Sequence, residues 1–251
     1  MKRSDIDAAI DRARALAAKH QVALPPFARW PREKWLARPE LVPTMLRGIG
    51  WDVTDFGRGN FPRYGLTLCT LRNGSLEERD AGIGETSAEK LMMVEVGQET
   101  PFHLHLIKTE DIINRSGGRL RLELYPVTWE DDSSPVLGAG TVRTFVSGIV
   151  TDIEAGESVI LEPGESVQVP VGYYHRFWAI DDPVLAAEVS SVNDDAADNV
   201  FLVKSPRYPA IEEDAPAKYL IVGDYPEVLA AMPGQFEVPA AQATARARLA
   251  G

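Results

Sequence analysis

PFHLHLIKTEDIINRSGG, residues 101–118, carries His103 and His105, two of the four histidines in the chain, and Glu110 shortly after them. Residues two apart on a strand project from the same face, so both imidazoles can share one ion. A third histidine, His175, lies in a segment bounded by turn residues that can fold back onto the pair. Three neutral imidazoles and one carboxylate suit a divalent first-row ion. Four such ligands on an octahedral ion leave two positions for water or substrate. Parity sets a condition on this reading. Glu110 stands at an odd offset from His103, so on an unbroken strand it would point the other way. A bulge or tight bend between Ile107 and Glu110 is therefore expected if all three are ligands.

Outward from this stretch the texture is that of short strands. From Trp51 to about Leu202, runs rich in β-branched and aromatic residues alternate with Gly, Asn and Asp. Asn73-Gly74 is a hairpin signal, and Ala155-Gly156 and Pro163-Gly164 mark further turns. Short strands without intervening helices indicate an all-β sandwich or small barrel. In KLMMVEV, Lys90, Met92, Val94 and Val96 share one face, and Leu91, Met93 and Glu95 share the other. Both faces are largely apolar, as in a strand inside a sandwich or barrel. Before the strands, Ile6, Ala9, Ile10, Ala13, Leu16 and Ala17 recur at helical spacing after Ser4, a candidate N-cap. Pro31 and Pro39 suit the first turns of two short helices between Trp30 and Arg47. After Pro206 the pattern weakens: KYLIVGDY reads as a possible further strand, and AAQATARARLAG as a terminal helix or tail. The expected organisation is a helical extension over 1–50 packed on a barrel over 51–225, with a tail over 226–251.

With 37 acidic against 26 basic side chains the formal charge is -11, which argues against non-specific binding to nucleic acid or an anionic membrane. A small molecule or a second copy of the chain is the expected partner. The single cysteine, Cys69, cannot form an intrachain disulfide. The N-terminal stretch lacks the apolar core of a signal peptide, and no apolar run is long enough to span a bilayer. A cytoplasmic location is expected.

Gly97, His103, His105, Glu110 and Gly117 match the first cupin motif: Gly, five residues, His-x-His, three or four residues, Glu, six residues, Gly. Gly164, Pro170, Gly172 and His175 match the second, except that Ala179 stands where its final Asn would be. The resemblance implies a cupin jelly-roll β-barrel in which His103, His105, Glu110 and His175 hold one divalent metal. EKLMMVEVGQETPFHLHLIKTEDIINRSGG, EVSSVNDDAADNVF and PAIEED carry a narrower resemblance, to the D-lyxose isomerase family of cupins, over roughly Trp51 to Tyr225. That resemblance implies a manganese-dependent isomerase that interconverts D-lyxose and D-xylulose, often with D-mannose and D-fructose, and it implies a homodimer. Cobalt, iron or zinc are the other divalent ions such a ligand set would accept. The acidic segment EDDSSPVLGAG departs from the family pattern.

Moving a carbonyl from C1 to C2 needs a base, a donor and a way to hold the enediolate. Glu188 shares the face of Ala186 and Ser190 and is the candidate proton-transferring carboxylate. Lys90, in phase with Met92 and Val94, is expected to face the barrel, where a lysine must pair or work. Lys108 faces the pocket only if the bend begins before it. Asp195 and Arg207 are candidates for binding sugar hydroxyls, and the segment with Trp30 and Trp35 is a candidate dimer surface. Two other readings of the same residues are a cupin dioxygenase using iron and oxygen and a non-catalytic sugar-binding cupin.

Overall fold

The computed structural model describes residues 1–130, 134–194, 198–205 and 209–232. In chain order the strands are β1 (Gly50–Thr54), β2 (Leu66–Asn73), β3 (Ser87–Val94), β4 (His103–His105), β5 (Glu110–Gly117), β6 (Leu120–Trp129) and β7 (Pro135–Leu137), then β8 (Thr141–Val146), β9 (Ile149–Glu154), β10 (Ser158–Leu161), β11 (Ser166–Val169), β12 (Tyr173–Ala179), β13 (Val184–Ser191) and β14 (Asn199–Phe201). They form two antiparallel sheets: an 8-stranded sheet in the order β1-β2-β3-β13-β5-β11-β8-β9 and a 6-stranded sheet in the order β10-β6-β12-β4-β14, with β7 on the side of β6. This is the all-β jelly roll that the motifs implied. Its core is built from alternate residues of the inner faces, with Met92, Val94 and Ile112 of the larger sheet against Leu120, Leu122, Leu124 and Phe177 of the smaller.

Helix α1 (Arg3–Lys19) covers the outer face of the larger sheet. Ile6, Ala9, Ile10 and Ala13 pack there against Trp51, Val53, Cys69 and Met93. Strand β3 is therefore buried on both faces, which explains why KLMMVEV is apolar on both. Each fully buried isoleucine of α1 contributes about 1.5–3 kcal/mol of transfer free energy, so this helix fixes the strands that carry Lys90 and Glu188. Two short helices, α2 (Arg32–Leu36) and α3 (Val42–Leu46), flank a 3-10 turn at Pro39–Leu41. No helix among the described residues is long and apolar enough to cross a membrane.

Three local expectations are corrected. The N-cap of α1 is Lys2, because Ser4 is drawn into a tertiary contact in which its hydroxyl donates to Asp214 at 2.7 Å. Asn73-Gly74 makes no tight hairpin: helix α4 (Leu76–Asp80) intervenes between β2 and β3. KYLIVGDY is not a strand. It makes a single bridge, Trp51 to Ile221, then a 3-10 turn at Val222–Asp224 and helix α5 (Tyr225–Ala231), because Tyr219, Leu220 and Ile221 are buried beneath the helical layer. Of the segment with Trp30 and Trp35, Trp35 is buried inside the chain among Met45, Leu220, Tyr225 and Val228, and Trp30 stays partly exposed. The segment AAQATARARLAG lies outside the described residues.

Candidate active site

Both cupin motifs converge because their strands are neighbours. On β4 and β12, His103 and His175 stand directly opposite each other, and β14 flanks the other edge of β4 with Asn199 opposite His105. One nitrogen from each of His103, His105 and His175 lies within 4.8 Å of the others. Each ring is oriented by a partner at Nδ1: the Pro101 carbonyl at 2.9 Å for His103, the Tyr173 carbonyl at 3.4 Å for His175, and Asp198 Oδ2 at 3.2 Å for His105. Acceptors at Nδ1 of His103 and His175, and the Asp198 carboxylate that faces Nδ1 of His105 without an aligned hydrogen bond, favour the proton at Nδ1 and leave the Nε2 lone pairs for the site.

Glu110 reaches the same point from the opposite sheet. The chain leaves β4 after His105, bends through residues 106–109, and enters β5 at Glu110. Parity demanded this bend, and it begins before Lys108. Glu110 Oε2 then lies 3.2 Å from His105 Nε2, and Oε1 lies 3.0 Å from His175 Nε2. Neither imidazole nitrogen has an aligned hydrogen bond among the described residues, although both are buried. Buried nitrogen lone pairs facing a carboxylate without hydrogen bonding to it form a donor set that fits a cation held between them.

The electrostatics are those of a closed polar cluster. Burial, then the neighbouring His175 and His105, push His103 well below the usual imidazole range. Burial also disfavours charge on His105, but Glu110 and Asp198 outweigh it and raise that imidazole. Burial opposes ionisation of Glu110, yet Lys108 and His105 hold its carboxyl well below the usual carboxylate range.

A second group of side chains adjoins the first. Lys90 on β3 pairs in register with Glu188 on β13, and Ser190 pairs with Glu110 on β5. This arrangement brings Lys90 Nζ to 3.3 Å and Lys108 Nζ to 2.7 Å from Glu188 Oε1, with Lys108 Nζ also 3.0 Å from Glu110 Oε2. Ser190 Oγ lies 3.2 Å from the same Glu188 oxygen. These contacts converge on Oε1. Lys90, Lys108 and Glu188 are all buried, and all three line one cavity with His103, His105 and Glu110. The cavity has about 570 Å³ of empty space counting its mouth, and its apolar walls include Phe56, Met92, Phe177 and Phe201. The structure thus gathers His103, His105, His175, Glu110, Lys90, Lys108 and Glu188. Asp195 and Arg207 lie outside the described residues.

Three side chains at the site had not been singled out. Asp198 accepts from the Ile107 amide at 2.6 Å while facing His105, and so ties the bend to the ring. Asn193 accepts from both lysines. Phe56 stacks edge-on with Phe201 and has a left-handed backbone with φ 53. Asn193 lies outside any regular element, and Asp198 is helical, with its amide donating to the Asp194 carbonyl at 3.0 Å, so no strand period directs either side chain. Only their membership of the acidic and amide-rich stretch 193–199 signalled them.

Comparison with known proteins agrees with this geometry. The sequence profile described as D-lyxose isomerase matches residues 1–225. The D-lyxose/D-mannose isomerase of Escherichia coli O157:H7 is 43% identical over 229 residues, covering 90% of this chain and 98% of that protein. The D-lyxose/D-mannose isomerase of Serratia proteamaculans is 39% identical over the same length and coverage. Among solved structures, the L-ribose isomerase of Acinetobacter sp. DL28 in complex with L-ribose superposes with a TM-score of 0.55 at 15% identity, over 84% of this chain and 98% of that one. The L-ribose isomerase of Cellulomonas parahominis with L-psicose gives 0.52 at 17% identity with the same coverage. At these identities the structural likeness is one of fold.

Proposed function

The chain belongs to the D-lyxose isomerase family and is a sugar isomerase, and from that premise we propose that it interconverts D-lyxose with D-xylulose, and D-mannose with D-fructose, as a metal-dependent aldose-ketose isomerase working by proton transfer. The observation that carries this reading is the meeting, in one cavity, of an imidazole and carboxylate cluster with a buried lysine and carboxylate cluster. His103, His105, His175 and Glu110 would hold the metal, with manganese the first choice and cobalt, iron or zinc as substitutes. When bound, such an ion supplies Lewis-acid stabilisation of the enediolate oxygens.

The chain's own groups supply the rest. Glu188 takes the proton from C2 of the aldose and returns it to C1 of the cis-enediol. Lys108 donates a proton to O1 and regains one from O2, so charge and protons balance over the cycle. Lys90 holds Glu188 from the other side. The apolar walls exclude water and so strengthen these interactions. Asp195 and Arg207 are proposed to bind sugar hydroxyls, and the active assembly is proposed to be a homodimer. Light scattering after gel filtration tests the assembly.

Isomerisation of D-lyxose in deuterated water, followed by NMR of the product, tests the reaction. Deuterium is expected at C1 of D-xylulose. Product without solvent deuterium would replace proton transfer with a hydride shift. Anaerobic turnover is expected at the aerobic rate, whereas a strict oxygen requirement would turn the reading to a dioxygenase.

A further inference from the structure

Two ammonium groups, one from strand β3 and one from the bend between β4 and β5, converge on one neutral atom. Lys90 Nζ donates to Asn193 Oδ1 at 2.7 Å, and Lys108 Nζ donates to the same oxygen at 2.9 Å. The same pair shares Glu188 Oε1. Like charges brought this close repel, and the Glu188 and Glu110 carboxylates beside them offset that repulsion. The Asn193 amide oxygen adds one acceptor shared by both ammonium groups, and so fixes where they sit relative to Glu188.

The loop that carries Asn193 is itself fixed from a distance. The Asn193 amide donates to Asn73 Oδ1 at 3.0 Å, while Asn73 Nδ2 donates to the Asn193 carbonyl at 2.8 Å and to the Arg47 carbonyl at 3.0 Å. One buried side chain therefore satisfies both backbone polar groups of a residue 120 positions away. The neighbouring Gly74 lies against the Glu85 backbone, where a Cβ would come within 1.9 Å of the carbonyl oxygen. Asn193 is not among the residues lining the catalytic cavity. It lines a separate groove with Asp52, Thr70 and Leu229.

We infer that Asn193 is a positioning residue that sets Lys90 and Lys108 against Glu188, and that Asn73 is the bracket that holds it there. It acts through the lysines and does not touch the sugar. This rests on the reading of Glu188 and the lysines as the proton-transfer group.

The test uses the full-length, manganese-loaded protein with D-lyxose. Asn193→Ala is expected to lower kcat by about 10- to 100-fold, the range for misplacing a catalytic group by about 1 Å. KM should stay within about threefold, with metal content and the melting midpoint of the metal-free protein unchanged. Asn193→Asp keeps an oxygen at the same place and should recover much of the lost kcat, and Asn73→Ala should give a smaller loss of the same type. A rise in KM at constant kcat would make Asn193 a substrate contact and overturn the inference. So would an Asn193→Asp variant as slow as Asn193→Ala, or a kcat loss that tracks a lowered melting midpoint. Glu188→Gln serves as the control. If it retains full turnover, the proton-transfer reading fails by itself. If it is inactive while Asn193→Ala turns over at the wild-type rate, only the positioning role fails.

Discussion

Asp198→Asn is a near-isosteric change whose consequence can be worked through atom by atom. Asp198 Oδ2 faces His105 Nδ1 at 3.2 Å, and Oδ1 accepts from the Ile107 amide at 2.6 Å. In the variant the amide oxygen can keep the Ile107 bond, so the bend at residues 106–109 survives. The NH₂ group must then face His105 Nδ1. It can only donate, so it drives the ring proton to Nε2, the nitrogen that faces Glu110. An imidazole protonated at that nitrogen cannot coordinate through it. Loss of such an outer partner costs about 10- to 100-fold in metal affinity, or about 1.4–2.7 kcal/mol. At a metal concentration about 100 times the wild-type Kd, bound metal stabilises the fold by about 2.7 kcal/mol, and a 100-fold weaker variant would keep about 0.4 kcal/mol. For a chain of this size that corresponds to a metal-induced rise in Tm of about 5–11 °C in the wild type and about 1–2 °C in the variant. Calorimetric titration of manganese into chelator-stripped protein, with thermal melts at matched metal, reads both quantities. The metal-free Tm values should coincide. A variant that binds manganese as tightly as the wild type would refute the assignment of Nε2 as the metal-facing nitrogen. Asp198→Ala is the contrasting case, since it strands the Ile107 amide and should lower the metal-free Tm as well.

Glu188→Gln should reduce turnover by about 10²- to 10⁴-fold, the usual contribution of a positioned acid-base group, while metal analysis finds the wild-type content. Treatment with a chelator should abolish isomerisation and lower Tm. Manganese should restore both, and an activity series over cobalt, iron and zinc ranks the substitutes. Arg3→Met should destabilise the fold by about 1.5–3 kcal/mol near neutral pH, the scale of hydrogen bonds to charged groups, because buried Arg3 bridges Glu213 at 2.7 Å and Asp224 at 2.8 Å. Arg3 holds the Glu213 carboxyl below the usual carboxylate range, mainly through their hydrogen bond. A depressed carboxyl stabilises the fold above its unfolded-state pKa, and that contribution is lost as pH falls through the folded value. Denaturant melts should therefore show the gap between wild type and Arg3→Met closing below the usual carboxylate range, and a gap that is constant with pH would refute the pairing.

The meeting of His103, His105, His175 and Glu110 was legible in the sequence because these residues sit on regular strands inside spaced Gly and Pro frames. Period-two parity placed His103 and His105 on one face and required a bend before Glu110, which the chain makes at residues 106–109. Parity also placed Lys90 correctly, since β3 is straight and fully paired with β13. It could not place Lys108, which lies inside the bend, where no period holds. Asn193, outside any regular element, and Asp198, helical after the last long strand, were illegible because no strand parity reaches them. Their directions come from tertiary partners such as Asn73, His105 and Ile107. Asn73-Gly74 misled in the opposite way: both residues have strong local turn preferences, but here Asn is used as a long-range bracket and Gly as a point of close approach. KYLIVGDY has the composition of a strand because its residues are buried, and burial by packing under helices produces the same composition as burial in a sheet.

The split of the site between two sheets explains why one short bend carries so much of it. The imidazoles belong to the smaller sheet, whereas Glu110, Glu188 and Lys90 belong to the larger. Sheet-to-sheet packing is apolar and non-directional, so it sets the separation of the two halves but not their alignment to within a hydrogen-bond length. Alignment comes from residues 106–109 and from what grips them. The Asp198 carbonyl accepts from the Leu106 amide at 3.2 Å, its carboxylate accepts from the Ile107 amide, and Lys108 joins Glu110 to Glu188. Directional bonds to this bend thus convert a non-directional sandwich into a site in which Glu110, facing the imidazole cluster, and the carboxylate proposed to move the proton are held by the same lysine.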